Sequence, residues 1–148
     1  MKQDYTIERQ ILFSHLKSIG IKNIQKLKKN IIVLNPVDKP DNLSWNQWQF
    51  ELKKVALYNQ DGICGICRRH FIWSAELHHA LLTKADVRSN PKSWMIHHSF
   101  NVVNLDPSCH KIAQRDKCLK FLCEIYSKEL IEEWYNNFPM KTAKLNIF

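Results

Sequence analysis

Two adjacent imidazoles in Glu76-Leu77-His78-His79, followed by Asn101 and His110, are the residues of this chain best suited to chemistry. An imidazole titrates near neutral pH, so one ring can hold a metal ion while its neighbour stays free to take a proton. Two cysteine-bearing turns bracket them: Cys64-Gly65-Ile66-Cys67 before, and Asp106-Pro107-Ser108-Cys109 after. Two cysteines at that spacing can share one zinc ion, and a second pair of ligands can come from the first turn of a helix. Cys64, Cys67 and Cys109 are therefore expected to hold a structural zinc. Asp106 is open to two readings, as the fourth ligand or as the N-cap of a helix that Pro107 begins, with His70 and water as rivals for the ligand position. Cys118 and Cys123 stand at helical core spacing and read as buried thiols.

The elements that must position these residues can be read from periodicity and punctuation. Ile7, Ile11, Leu12, Leu16 and Ile19 recur at helical spacing, and Gly20 ends that helix. Ile21, Ile24 and Leu27 are spaced three apart through a basic stretch, which predicts a second helix and makes residues 1–43 an N-terminal helical extension. Pro36 and Pro40 mark a linker. Ser44 and Gln47 form a capping-box pair, so a helix is predicted to begin there with Trp45, Trp48, Leu52 and Val55 on its apolar stripe. Residues 71–82 should carry a strand bearing the histidine pair, and residues 101–105 a short β-branched strand. Asp106-Pro107 then starts a helix that Leu119, Leu122 and Ile125 extend to about Tyr126. Ser127 caps a last helix with Leu130, Trp134 and Phe138 facing inward. Residues 44–140 read as one domain and residues 141–148 as a tail.

Composition narrows the function classes. With 45% hydrophobic residues among 148, the chain can build a core and is no disordered tail. A formal charge of +8 favours a polyanionic partner, because neutralising phosphates releases counterions. No apolar run is long enough for a membrane span, and the polar N-terminus does not read as a signal peptide. Five cysteines, two of them in a Cys-x2-Cys knuckle, fit a reducing cytoplasm better than a disulfide framework.

The order of these residues resembles the HNH endonucleases, in particular free-standing members from phages and mobile elements. The spacing from Asn101 to His110 and the Glu-Leu-His-His run are also similar to the bacteriocin nucleases of the colicin type. The resemblance covers residues 64–114, about one third of the chain. Asp106 departs from it, since many such proteins carry a second Cys-x2-Cys there. It implies an α+β fold with a ββα-metal core (His-Me finger, treble-clef-like), N-terminal helices and a C-terminal helix.

The activity implied is hydrolysis of phosphodiester bonds in double-stranded DNA. His79 would be the general base that activates water, His78 and His110 the ligands of a catalytic divalent ion (Mg²⁺, Mn²⁺ or Ni²⁺), and Asn101 the residue that pins the ββ loop. For His78 and His79 to share one site, the strand must end at His78, because neighbours in a regular strand point to opposite faces. Glu76 shares a face with His78 and either orients that imidazole or faces solvent. Gln114 stands where the family often has a third metal ligand. Lys84, Arg88 and Lys92 in the ββ connection, with Arg68 and Arg69 at the knuckle, are candidates for phosphate contact, as is the N-terminal extension. His97 and His98 read as structural or DNA-contacting. No membrane and no organic cofactor is expected, and the expected location is the cytoplasm of a bacterial or phage-infected cell. The alternatives are a non-catalytic zinc-containing module that binds nucleic acid, and an HNH-type nuclease acting on RNA.

Overall fold

The computed structural model describes residues 4–139, so the expected tail at 141–148 lies outside the described residues. Within them the fold is mixed α+β, with five α-helices and two small antiparallel sheets. Helix α1 (Thr6–Ser18) buries Leu12 and Leu16 and leaves Ile7 and Ile11 in solvent. It ends at Gly20, whose φ of +95° suits a residue without a Cβ.

The second N-terminal helix does not form. In its place β1 (Gln25–Leu27) and β2 (Ile31–Val33) make an antiparallel hairpin, with Leu27 opposite Ile31. Asn23, Lys29 and Asn30 adopt left-handed φ values of 58°, 62° and 62°, which a helix does not accept. Ile31, Ile32 and Val33 are all buried, and such a β-branched run suits a strand. Turn geometry and burial thus outweigh the three-residue spacing of Ile21, Ile24 and Leu27.

Helix α2 (Trp45–Asn59) starts at its capping box: Gln47 N donates to Ser44 Oγ at 3.1 Å and Ser44 N to Gln47 Oε1 at 2.7 Å. Trp48, Leu52 and Val55 are fully buried against Leu12, Leu16, Ile32 and Leu34. Of the expected extension, the described residues 4–43 therefore share a core with α2 and are packed into the fold.

A second core surrounds the cysteine knuckle, and a strand stands between the two. Strands β3 (Glu76–His79) and β4 (Val102–Leu105) pair antiparallel, with His78 opposite Val103 and His79 opposite Val102. Because side chains alternate along a strand, Val102 enters the α1–α2 core while Val103 and Leu105 enter the knuckle core.

Helix α3 (Pro107–His110) follows at once and packs beside β3. It lasts one turn, and α4 (Arg115–Ile125) restarts after an extended Gln114, so the single helix expected up to Tyr126 is two. On one continuous helix Cys109 and Cys118 would lie about 180° apart at 3.6 residues per turn. Both are buried in the knuckle core, which the break allows. Helix α5 (Lys128–Asn136) closes the fold, with Leu130 N donating to Ser127 Oγ at 3.2 Å. Among the described residues no helix is long and apolar enough to cross a membrane.

Candidate functional site

The knuckle is a tight hairpin closed by the Ile63–His70 bridge and by Cys64 N donating to Arg69 O at 2.9 Å. Cβ at Gly65 would fall 2.5 Å from Val103 Cγ2, so only glycine lets the hairpin seat on β4. This seating brings the sulfurs of Cys64, Cys67 and Cys109 within 4.8 Å of one another. In a tetrahedral site with Zn–S bonds of about 2.3 Å, sulfurs stand roughly 3.8 Å apart, so small side-chain rotations would close the trio on an ion.

The electrostatics fit a cation. Burial works against the Cys64 thiolate, but backbone N–H groups of Asp106 (3.3 Å) and Ile66 (3.4 Å) point at its sulfur and hold the thiol below its usual pKa. Burial, then the neighbouring sulfurs, push Cys109 up to about 11. The neighbouring sulfurs thus oppose a negative charge on Cys109, and a bound cation would relieve that opposition. The residues present can hold a metal ion such as zinc.

Asp106 is not one of the clustered ligands. Its Oδ1 accepts from Ser108 N at 3.1 Å and Ser108 Oγ at 2.7 Å, as the N-cap of α3. The helix start draws the carboxylate to itself, and Asp106 meets the sulfurs only through its backbone N–H. His70 also stands outside the cluster. Cys118 is buried, its thiol pushed up to about 12 by burial and then by the charges of Cys64 and Asp116.

Across the ββ pair, Glu76 and His78 occupy one face of β3, and α3 brings His110 to it. The two imidazoles lie 4.9 Å apart, centre to centre, at an interplanar angle of 68°. The Glu76 carboxylate is 3.5 Å from His110 Nδ1, so the histidine it can orient is His110 and not His78. Burial, then the charge of His110, holds the His78 pKa below its usual value and keeps a lone pair available. Gln114 is exposed and serves as the N-cap residue of α4. Among the described residues the cysteine trio is the one set of three such donors, and His78 and His110 stand as a pair of imidazoles without a third.

His79 is placed differently from the expectation that the strand ends at His78. The ladder runs on through His79, and Ala80 N donates to Asn101 O at 2.7 Å. His79 therefore leaves β3 on the face opposite His78. Its Nε2 meets His97 Nδ1 at 2.9 Å, and the His97 carbonyl accepts from Trp48 Nε1 at 2.9 Å. Burial, followed by the charges of His97, Lys84 and His78, lowers the His79 pKa to about 3. Burial and Lys84 lower that of His97 to about 4, so both rings are neutral at neutral pH. His98 is structural: its Nδ1 accepts from Phe100 N at 3.0 Å and its ring packs on Phe100 and Trp134.

Asn101 is wholly buried, and its amide uses its full hydrogen-bonding capacity on the loop between β3 and β4. Oδ1 accepts from Leu81 N (3.0 Å) and Leu82 N (2.8 Å), while Nδ2 donates to Leu82 O (2.8 Å) and Ile96 O (2.9 Å). The same residue thereby fixes the backbone just after His79 and the turn that delivers His97.

Of the candidate phosphate-binding residues, Lys84, Arg88, Lys92 and Arg69 are exposed. Arg68 is committed elsewhere, paired with Glu124 and lying 4.5 Å over the Phe121 ring. Sequence reasoning missed His97 as the partner of His79, because no spacing rule links a strand residue to a turn eighteen positions later. Comparisons with known proteins return nothing: no family model, no curated protein and no solved structure matches this chain.

Proposed function

We propose that this chain is a metal-dependent endonuclease of the HNH kind that hydrolyses phosphodiester bonds in DNA. The observation that carries this reading is the Asn101 amide, whose four hydrogen bonds hold the loop between a strand bearing His78 and His79 and the strand leading to His110. A module that only binds nucleic acid has no need for such a constellation. Here β3, β4 and α3 would be the ββα unit of that family.

His78 and His110 would hold the divalent ion, and their nitrogen donors suit Mn²⁺, Ni²⁺ or Co²⁺. When bound, such an ion supplies positive charge to the scissile phosphate and the leaving oxygen. The Glu76 carboxylate, 3.5 Å from His110 Nδ1, would favour the ring form protonated at that nitrogen. His79, which leaves β3 on the face opposite His78, would have to reach the same phosphate around the end of the strand; there it would take a proton from the attacking water as its oxygen bonds to phosphorus. The bond to the 3′ oxygen breaks, and that oxygen takes a proton from solvent, leaving 5′-phosphate and 3′-hydroxyl ends. In the tautomer in which His79 Nε2–H donates to His97 Nδ1, His79 Nδ1, which has no protein partner among the described residues, would be able to take that proton. Burial is the main cause of the low His79 pKa, and a phosphate beside Lys84 would offset only the smaller part that comes from that lysine.

A second reading is a zinc-stapled module that binds nucleic acid without cutting it. It draws on the opposite facing of His78 and His79 and on the cysteine trio as the one three-donor set among the described residues. Incubation of supercoiled plasmid and of a folded RNA with Mg²⁺, Mn²⁺ or Ni²⁺ decides among these readings. Plasmid cutting that falls about 10²–10⁴-fold in His79→Ala supports the endonuclease. Binding without cutting supports the module, and cutting of RNA alone moves the substrate.

A further inference from the structure

Beside the His79–His97 pair lies a cavity of about 410 Å³, within the roughly 300–1,000 Å³ range of small-molecule sites. Trp45 and Trp94 form an aromatic wall, their rings 5.7 Å apart and nearly parallel at 25°. Trp45 is fixed further by His97, at 5.5 Å, and by the Lys39 ammonium, at 4.8 Å. Lys84 and Arg88 stand at the rim, exposed and without a carboxylate partner among the described residues. His97 lines the cavity with one part of its surface and meets His79 with Nδ1.

An apolar aromatic wall under two free cations has the chemistry of a nucleotide: a base with a π face and an anionic phosphate. The two tryptophans already touch, so a base stacks on the pair and not between them. We propose that this cavity receives one unstacked nucleotide of the nucleic-acid strand, its base on the Trp45–Trp94 wall and its phosphate between Lys84 and Arg88. The inference rests on the nuclease reading and deepens it: the cavity sets the strand's position relative to His79. It also favours substrate that is single-stranded or locally opened, because a base inside a duplex cannot reach the wall.

The test uses fluorescein-labelled octadeoxythymidylate and an abasic octamer of the same charge, with binding read by anisotropy in buffer without added divalent ions. The wild-type protein should bind the thymidylate about 5- to 150-fold more tightly, the range that stacking one base provides. Trp94→Ala should abolish this preference and leave abasic binding unchanged, while Trp94→Phe keeps most of it. Lys84→Ser with Arg88→Gln, both at exposed positions that folding does not need, should weaken both probes equally. The slope of log K against log salt should then fall by about 0.7 for each phosphate no longer neutralised. Equal binding of the two probes by the wild type, or a preference that survives in Trp94→Ala, overturns the pocket. Plasmid cutting, assayed separately, keeps the two ideas apart. A protein that cuts without the preference retains the nuclease and loses the pocket, and one with the preference that never cuts does the reverse.

Discussion

His79 and His97 meet nitrogen to nitrogen, Nε2 to Nδ1 at 2.9 Å, so one proton is shared between two neutral rings. A shared proton fixes the tautomer of both. Nitrogen-15 NMR should show His79 as a single neutral tautomer in the wild type. In His97→Ala, the His79 resonances should move toward the averaged values of a free imidazole. Under the nuclease reading, turnover should drop by about tenfold or more, because the base loses its fixed orientation. An unchanged tautomer would mean that His79 is held by something other than His97.

Acid should destabilise this fold, and His98 should account for part of it. Burial depresses the His98 pKa to about 3, below its ordinary 6.5, so the unfolded chain binds the proton more readily. Its contribution to stability is complete above about pH 6.5 and is lost as pH falls toward 3. His98→Asn retains a cap for Phe100 N and removes the titration. Its stability between pH 6 and 4 should fall less steeply than the wild type's by up to about 1.4 kcal/mol per pH unit, the slope of one proton. Parallel urea-melt slopes in the two proteins would refute this.

Asn101→Ala should damage both stability and activity. It strands the buried N–H groups of Leu81 and Leu82, and each unsatisfied group costs about 1–3 kcal/mol. Asn101→Asp is no remedy, because its second oxygen would face the carbonyls of Leu82 and Ile96. Chemical denaturation should show both variants less stable, and turnover per folded molecule should fall about 10²-fold if the loop positions the base. Full stability in Asn101→Asp would contradict the donor and acceptor assignment.

The legibility of this chain varied with how local each signal was. Ser44 and Gln47 announced α2 and Asp106-Pro107 announced α3, because a cap is an interaction among neighbours. The cysteine trio was legible from spacing, although Asp106 was equally consistent with cap and ligand until its carboxylate was seen on Ser108. The β1–β2 hairpin was hidden because three-residue apolar spacing looks helical, while the left-handed turn at Lys29 and Asn30 leaves little trace in sequence. The partners of His79 and His110 depend on which face of β3 each neighbour meets, which only the assembled ladder decides.

Gly65→Ala tests the seating of the knuckle. A methyl group 2.5 Å from Val103 Cγ2 must push the hairpin from β4, and overpacking of this kind costs about 1–3 kcal/mol. If the trio holds zinc, the displacement separates Cys64 and Cys67 from Cys109, and the metal should be lost to a chelator faster than from the wild type. Purified protein should carry about one zinc per chain. Wild-type stability and zinc retention in Gly65→Ala would show that the close approach is not needed.

Glu76 and His110 offer the sharpest test of the two-imidazole site. The carboxylate lies 3.5 Å from His110 Nδ1, which directs Nε2 away from Glu76 and leaves it available to an ion. Glu76→Gln keeps the shape but loses the charge that favours the Nδ1–H form of the ring. Losing a partner that orients a ligand typically weakens metal binding by about 10–100-fold. Under the nuclease reading, the concentration of Mn²⁺ needed for half-maximal cutting should rise by that factor, while the rate at saturating metal stays near that of the wild type. His110→Ala should instead lower the saturated rate as well, because a donor is lost and not merely turned. If Glu76→Gln lowers the saturated rate without changing the metal requirement, Glu76 acts on the substrate and the assignment of His110 as its target is wrong.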